Sequence, residues 1–466
     1  MCFSHGAAMW FDRLSRLTSM LVVDRFRVAV AALAIATHVV TAAEAAAASL
    51  LRDPDIEHGL SELAAPVLRA AGLNPKRVRV LVVDDSSLNA FVVDGQTVFL
   101  HHGLILKVQS AAMLQAVIAH EAAHISNGHI ARRMGNLRSA RTAAGLGAAL
   151  AVAAAAAGAG SAAGGIAAGT ASSALRGFFV HTRAEESAAD RSAAHYMTST
   201  GLDPQGLVDL HRAFAGQEAL SVGRQDPYMQ SHPLTQDRIR VAESYVAAQP
   251  VAPPSKPEDT YWFARVQGKL SAFTRAPKWT LRRAPEEPHA DVRLMREAIA
   301  HHRNNDLKAA LKAMDAAIAA RPDDAYYHEL KGQILLENRQ LQPALDAYRT
   351  AVALAPRESL IQGSYGRALL AADQPKAALG PLEEARSRDF RDARVMRDLA
   401  LAYARLGETG MAALTTAERH ALEGRMEDAA RQAQRATTLL PRGSAPWQRA
   451  QDVVIASEHA NKRKKR

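Results

Sequence analysis

The sequence predicts a mainly α-helical chain with one small β-sheet: an α+β domain followed by an all-α solenoid. Three observations carry this prediction. Strand-like runs of β-branched residues fall between about 78 and 100, among helical patterns. A 34-residue period governs the C-terminal part. A proline-rich stretch, Gln249 to Pro257, separates the two. Composition sets the outer limits. At 466 residues and 48% hydrophobic, the chain suits two or three domains with real cores. Its single cysteine, Cys2, excludes a disulfide framework and any cysteine-held metal. The formal charge is +10, from 57 basic and 47 acidic residues, with five of the basic ones at Lys462 to Arg466. No basic stripe with interleaved aromatics appears, so a nucleic-acid partner is not expected.

Taken in order, residues 1–45 read as an export signal. Arg25 and Arg27 precede an uncharged apolar run, Val28 to Thr41, and Ala43-Glu44-Ala45 supplies a small-residue cleavage site. The leader is long, which makes Met20 an alternative start. Residues 46–247 follow as the α+β domain. Val78 to Val83 reads as a strand bounded by Pro75 and Asp84-Asp85. Asp94-Gly95, between Phe91-Val92-Val93 and Thr97 to Leu100, signals a hairpin through a dipeptide that tolerates positive φ. Ser110 caps an expected helix from Ala111 to Met134, stopped by Gly135-Asn136. Thr142 to Leu175 holds 34 residues without Asp, Glu, Lys, Arg or His. Its small side chains bury little area each, so the expectation is a close-packed helical hairpin on the domain or at a membrane surface.

Residues 248–290 form the linker and a connecting helix, 291–455 the solenoid, and 456–466 a basic tail that could touch anionic headgroups. In the solenoid, Pro322, Pro356 and Phe390 keep the 34-residue step, as do Ala310, Ala344, Ala378 and Ala317, Ala351, Ala385. Gly332 and Gly366 repeat with Ala400. Small residues at helix crossings and proline after the second helix are the signature of tetratricopeptide repeats. A partial unit near Arg391 to Gly407 shifts the frame. A further unit then ends at Pro441, with Ala429 and Ala436 in phase.

The chemistry concentrates in His120-Glu121-Ala122-Ala123-His124. Four residues advance a helix by one turn and about 40°, so both imidazoles leave one face toward a common ion. Glu121, beside them, reaches a water on that ion rather than the ion. Neutral imidazoles suit zinc, one per chain, which in hydrolytic sites takes three protein ligands and leaves a fourth position for water. Glu121 then serves as general base and later as acid. The third ligand lies elsewhere. His129 sits about 140° around a continuing helix from His124 and is excluded, and the Gly and His of the longer metzincin motif are absent. Downstream, Glu185, Glu186 and Asp190 compete on a second expected helix, where Glu186 and Asp190 share a face. One can bind the ion while the other orients a ligand histidine.

These residues, followed by Ser231-His232-Pro233-Leu234 and Arg238, resemble the M48 family of gluzincin metallopeptidases. With an export signal and repeats, the chain most resembles that family's periplasmic β-barrel assembly-enhancing group. The resemblance implies a gluzincin-type α+β domain. It implies His120, His124 and Glu186 as zinc ligands, Glu121 as general base and Asp190 as the partner of a ligand histidine. His232 and Arg238 match the pair that approaches the substrate carbonyl, where cationic groups suit the developing oxyanion. In that group the matching histidine also occupies the metal's fourth position and holds the enzyme off. Asn89-Ala90-Phe91, Gly95 and Gly103-Leu104 match as well, Asn89, Ala90 and Phe91 on the substrate side. Thr97 to Leu100 is then expected as the edge strand that pairs with extended substrate.

The implied function is an exported zinc endopeptidase, periplasmic and in part membrane-associated, that degrades misfolded or stalled outer-membrane proteins. Its repeats would dock unfolded clients or the outer-membrane β-barrel assembly machinery. The competing reading is a chaperone or adaptor whose metal site His232 keeps latent. Val92-Val93-Asp94 departs from the family's smaller turn, and the Ala/Gly stretch is more extreme than the family's. The basic tail has no counterpart there.

Overall fold

The structure, a computed structural model, describes residues 50–132, 183–220, 224–248 and 254–464. The expected export signal, the Ala/Gly stretch, residues 249–253 of the joint and the last two residues of the basic tail lie outside them.

The α+β part opens with β1 (Leu50–Leu51) and α1 (Pro54–Ala70). Asp53 starts α1 by accepting from the backbone N–H groups of Asp55 and Ile56, and Pro54 fills a first-turn position that needs no donor. The β-branched run forms β2 (Arg79–Val83), buried after its first residue. β3 (Ala90–Val92) and β4 (Thr97–His101) make the expected hairpin, pairing Val92 with Val98 and Ala90 with Leu100. Its turn differs from the expectation. The loop is wider than two residues, Gly95 is not among the positive-φ glycines, and the Asp94 carboxylate accepts from the Gln96 N–H instead.

The sheet order is β1-β2-β4-β3, with β2 and β4 parallel and the outer pairs antiparallel. This corrects the expected substrate edge. Thr97 to Leu100 is bonded on both sides and offers no free edge; β3 is the outer strand. Helix α2 (His102–Lys107) leads into α3 (Ala111–Ser126), capped by Ser110 as expected. α3 ends at Asn127-Gly128, where Gly128 takes φ 70, earlier than the expected stop at Gly135; residues 129–132 turn helical again in a new direction. Ala116, Ala119, Ala122 and Ala123 are fully buried, which lets α1, the sheet, α4 (Arg183–Ser199) and α5 (Gln205–Phe214) close around it. The short α6 (Pro227–Ser231) and α7 (Gln236–Ala247) complete this part.

Helix α8 (Pro257–Thr274) packs on both α1 and the repeats. Its Phe263, Val266 and Leu270 join the core of residues 56–242, and its Tyr261 and Ala272 join the first repeat's core. Buried Arg265 binds Asp55 at 2.7 Å and Asp324 at 2.6 Å, and buried Lys269 binds Asp53 at 2.9 Å. After α9 (Pro277–Arg283) come the helix pairs. They are α10 (Ala290–Arg303) with α11 (Leu307–Ala320), α12 (Ala325–Glu337) with α13 (Leu341–Leu354), and α14 (Ser359–Ala371) with α15 (Pro375–Arg388).

The small residues sit at the crossings. A Cβ on Gly366 would stand 2.5 Å from the Leu382 side chain, and one on Gly332 would stand 2.9 Å from the Tyr348 ring. The turns within pairs carry the same period in their backbone: Asn305, Arg339, Asp373 and Gly407 all have positive φ. At α16 (Ala393–Arg405) the frame shifts by half a unit, because turns of this type follow each other at Gly407 and Gly424. α17 (Thr409–Leu422) and α18 (Met426–Leu439) then form the next pair. Ala429 and Ala436 stand in α18 as Ala310 and Ala317 stand in α11. The long α19 (Ala445–Lys464) follows. Among the described residues, no helix is long and apolar enough to cross a membrane.

Candidate metal centre

Helix α3 delivers His120, Glu121 and His124 into the interior, each 1% exposed or less. Across from it, α4 presents Glu186 and Asp190, and the residue after α6 is His232, also buried. His120 Nε2 and His124 Nε2 are 3.1 Å apart. Glu186 Oε2 lies 3.3 Å from His120 Nε2, and Glu186 Oε1 lies 3.4 Å from His124 Nε2. His232 Nδ1 lies 3.0 Å from Glu186 Oε1 and 3.3 Å from His120 Nε2. Ligands about 2.0–2.1 Å from a tetrahedral centre stand about 3.3–3.4 Å from one another, so this spacing suits one small cation.

Charge supports the same reading. Glu121, Glu186 and Asp190 are buried with a single guanidinium, Arg238. Two formal negative charges are left in excess in a dry interior, and one dication balances them. Burial alone would lower His120, but Glu186 and Asp190 raise it to about 10. Burial keeps His124 well below its usual value. Although burial opposes ionisation, His232 and His120 hold Glu186 well below the usual carboxylate range, and Arg238 with His211 does the same for Asp190. A proton on His120 Nε2 is what a bound cation displaces.

The Peptidase family M48 profile matches residues 50–246. The beta-barrel assembly-enhancing protease of Escherichia coli K12 is 25% identical over 388 residues, covering 82% of this chain and 79% of the relative. That of Yersinia pestis is 22% identical, covering 72% and 69%. Residues 50–246 belong to peptidase family M48. The chain is thus a metallopeptidase. Among solved structures, MamA from Desulfovibrio magneticus RS-1 aligns at 22% identity and TM-score 0.31, over 35% of this chain and 94% of that one.

The rest of the M48 domain orients these groups. Asp190 Oδ1 stands 3.0 Å from His120 Nδ1, which directs the other nitrogen's lone pair inward. Arg238 was expected to approach substrate beside His232, but the structure turns it inward. Its Nε and Nη2 donate to the two Asp190 oxygens at 2.6 and 2.8 Å, and Nη1 lies 2.9 Å from Glu186 Oε2. At 4% exposure it holds both carboxylates. His232 instead keeps Nε2 3.4 Å from Glu121 Oε1.

Two residues escaped the sequence reasoning. His129 does not point at the centre, but its Nδ1 lies 2.8 Å from His124 Nδ1, because the break at Gly128 folds it back. His211 on α5 lies 3.4 Å from Asp190 Oδ1, and nothing in the spacing of that helix marks it. Of the residues expected to meet substrate, Asn89 precedes β3, its Oδ1 buried without a hydrogen-bond partner among the described residues. Ala90 is buried within β3, and Phe91 stacks on Phe99 at 5.2 Å. Tyr228 donates its N–H to Leu88 O, and its ring lies 4.7 Å from that of His232.

Proposed function

We propose that this chain is an exported, zinc-dependent endopeptidase that degrades misfolded or stalled outer-membrane proteins in the periplasm. The observation that carries the hydrolytic part is the four-donor cluster with Glu121 beside it. Similarity to beta-barrel assembly-enhancing proteases supports the client class. The repeats then dock clients or the β-barrel assembly machinery, and the basic tail gives peripheral membrane contact.

His120, His124 and Glu186 would hold zinc, which supplies Lewis acidity toward the scissile carbonyl and toward water. Glu121 takes the water's proton on a carboxylate oxygen and returns it to the leaving amine nitrogen. The outer edge of β3, at Ala90 to Val92, offers backbone groups to an extended substrate and holds it beside α3. Asp190 and Arg238 keep the ligand atoms aligned without touching substrate. His232 Nε2, once withdrawn from Glu121, donates to the carbonyl oxygen as negative charge develops there.

Metal content and casein cleavage, measured on wild type and Glu121→Gln, test the reading. The variant should keep its metal and lose cleavage. Equal cleavage by both removes the hydrolytic assignment. One observation favours the adaptor reading as the resting condition. With His232 Nδ1 beside Glu186 and His120, four side chains would hold a bound ion and leave no position for water. The centre is latent until His232 leaves.

A further inference from the structure

Away from the metal centre, a cavity of about 610 Å³ lies between the M48 domain and the repeats, within the usual range for ligand pockets. Leu50 of β1 and Leu270 and Phe273 of α8 form one side. Successive first helices of the repeats form the other, with Glu329, Gln333 and Leu336 on α12 and Leu360, Ser364 and Arg367 on α14. Each helix thus shows one face, at steps of three and four residues, to a common groove. Such stacked faces form the concave binding surfaces of repeat proteins.

The groove is bounded by ionic seams. Arg265 ties α8 to Asp55 and Asp324, and Arg52 and Arg79 of the M48 domain bind Asp389 at 2.8 and 3.0 Å. The three arginines of the lining already hold carboxylates: Arg52 has Glu57 and Asp389, Arg367 has Asp398, and Arg394 has Asp392. Glu329 differs. It is 4% exposed, and its Oε1 accepts from Ser364 Oγ at 3.1 Å. Its Oε2 is buried without a hydrogen-bond partner among the described residues. Lys269, the buried cation of α8, gives its Nζ to Asp53 and Asp55. A carboxylate oxygen left without a donor, in a groove of mixed apolar and charged lining, calls for a cation supplied from outside.

We propose that this groove binds an extended, apolar protein segment through one lysine or arginine side chain that reaches Glu329 Oε2. Leu50, Leu270, Phe273, Leu336 and Leu360 take the flanking apolar residues, and Glu329 selects the basic one. The inference rests on the reading of the repeats as a docking module and is independent of hydrolysis.

The test uses the full chain carrying Glu121→Gln, so that no probe is cut. The probe is a fluorescein-labelled octapeptide of apolar residues with one central arginine, blocked at its C-terminus, and its citrulline counterpart. Anisotropy should show the arginine peptide binding about tenfold or more tightly than the citrulline one. Adding Glu329→Gln should abolish that difference. The citrulline comparison is made on a chain whose groove is unaltered, so it does not depend on how the variant folds. Equal binding of the two peptides, or selectivity retained in Glu329→Gln, overturns the proposal. If the chain still captures unfolded client while arginine selectivity is missing, only the groove assignment falls. If capture is missing as well, the docking reading falls with it.

Discussion

His232 bridges the two working carboxylates of the centre, with Nδ1 3.0 Å from Glu186 Oε1 and Nε2 3.4 Å from Glu121 Oε1. One ring would therefore take the fourth position of a bound metal while it lies beside the general base. His232→Ala should raise basal casein cleavage at least about twofold while metal content stays unchanged, since a closed four-coordinate site cannot take water. A fall in cleavage with metal retained would assign His232 to the oxyanion instead.

Arg238 and Asp190 form a second dependency. Arg238→Ala leaves two buried carboxylates without their guanidinium, and breaking such a pair costs about 3–5 kcal/mol. Thermal melting of the variant should fall accordingly. Asp190→Asn should weaken metal binding about 10–100-fold by releasing the His120 ring. Competition with a chromophoric chelator measures it; unchanged affinity would show that Asp190 does not orient the ligand.

Removing the metal should also lower stability. The negative charges in excess around His120 are then balanced only by protons, so a chelator should lower the wild-type melting temperature. The drop should shrink in a Glu186→Gln variant, which carries less negative charge. Differential scanning fluorimetry reads both.

Glu329 gives a pH signature far from the metal. Burial raises its carboxyl to about 7 despite Lys269 and Ser364, with Asp53 and Asp55 adding to the rise. In the unfolded chain it ionises near 4.5. The folded state therefore holds this proton where the unfolded state has lost it. Stability is full below about pH 4.5 and falls as pH rises to about 7, by roughly 3 kcal/mol. Relative to wild type, Glu329→Gln should gain about that much between pH 4 and pH 8 in urea unfolding. A pH-independent difference would refute the buried carboxyl's role.

Much of this was legible in the sequence because the decisive patterns are local. His120 and His124 are one helical turn apart, and the repeat period survives in Ala310, Ala344 and Ala378, each fully buried. What stayed hidden depends on where the chain bends or pairs. His129 was excluded on the assumption of a continuing helix, yet Asn127-Gly128 is itself a stop signal and brings the ring back to His124. The resemblance placed the substrate edge at Thr97 to Leu100, but β2 pairs with it in parallel from the far side of the hairpin, and no short-range pattern records that pairing. Arg238 was visible as a cation, but its direction is set by Asp190 and Glu186, 48 and 52 positions earlier in the chain.

The double membership of α8 has a practical outcome. A fragment cut at the proline-rich joint would begin or end where composition changes, but it would strip Val266 from Gly59, where a Cβ would come within 2.6 Å, and Lys269 from the cap of α1. The half ending at residue 248 would present bare apolar surface along α1, and the other half would carry Lys269 parted from Asp53 and Asp55, and Arg265 left with Asp324 alone. Recombinant halves divided there should be recovered as aggregates, whereas a cut after Arg275 leaves the catalytic half its own lid. The natural seam of the molecule lies one helix later than its prolines.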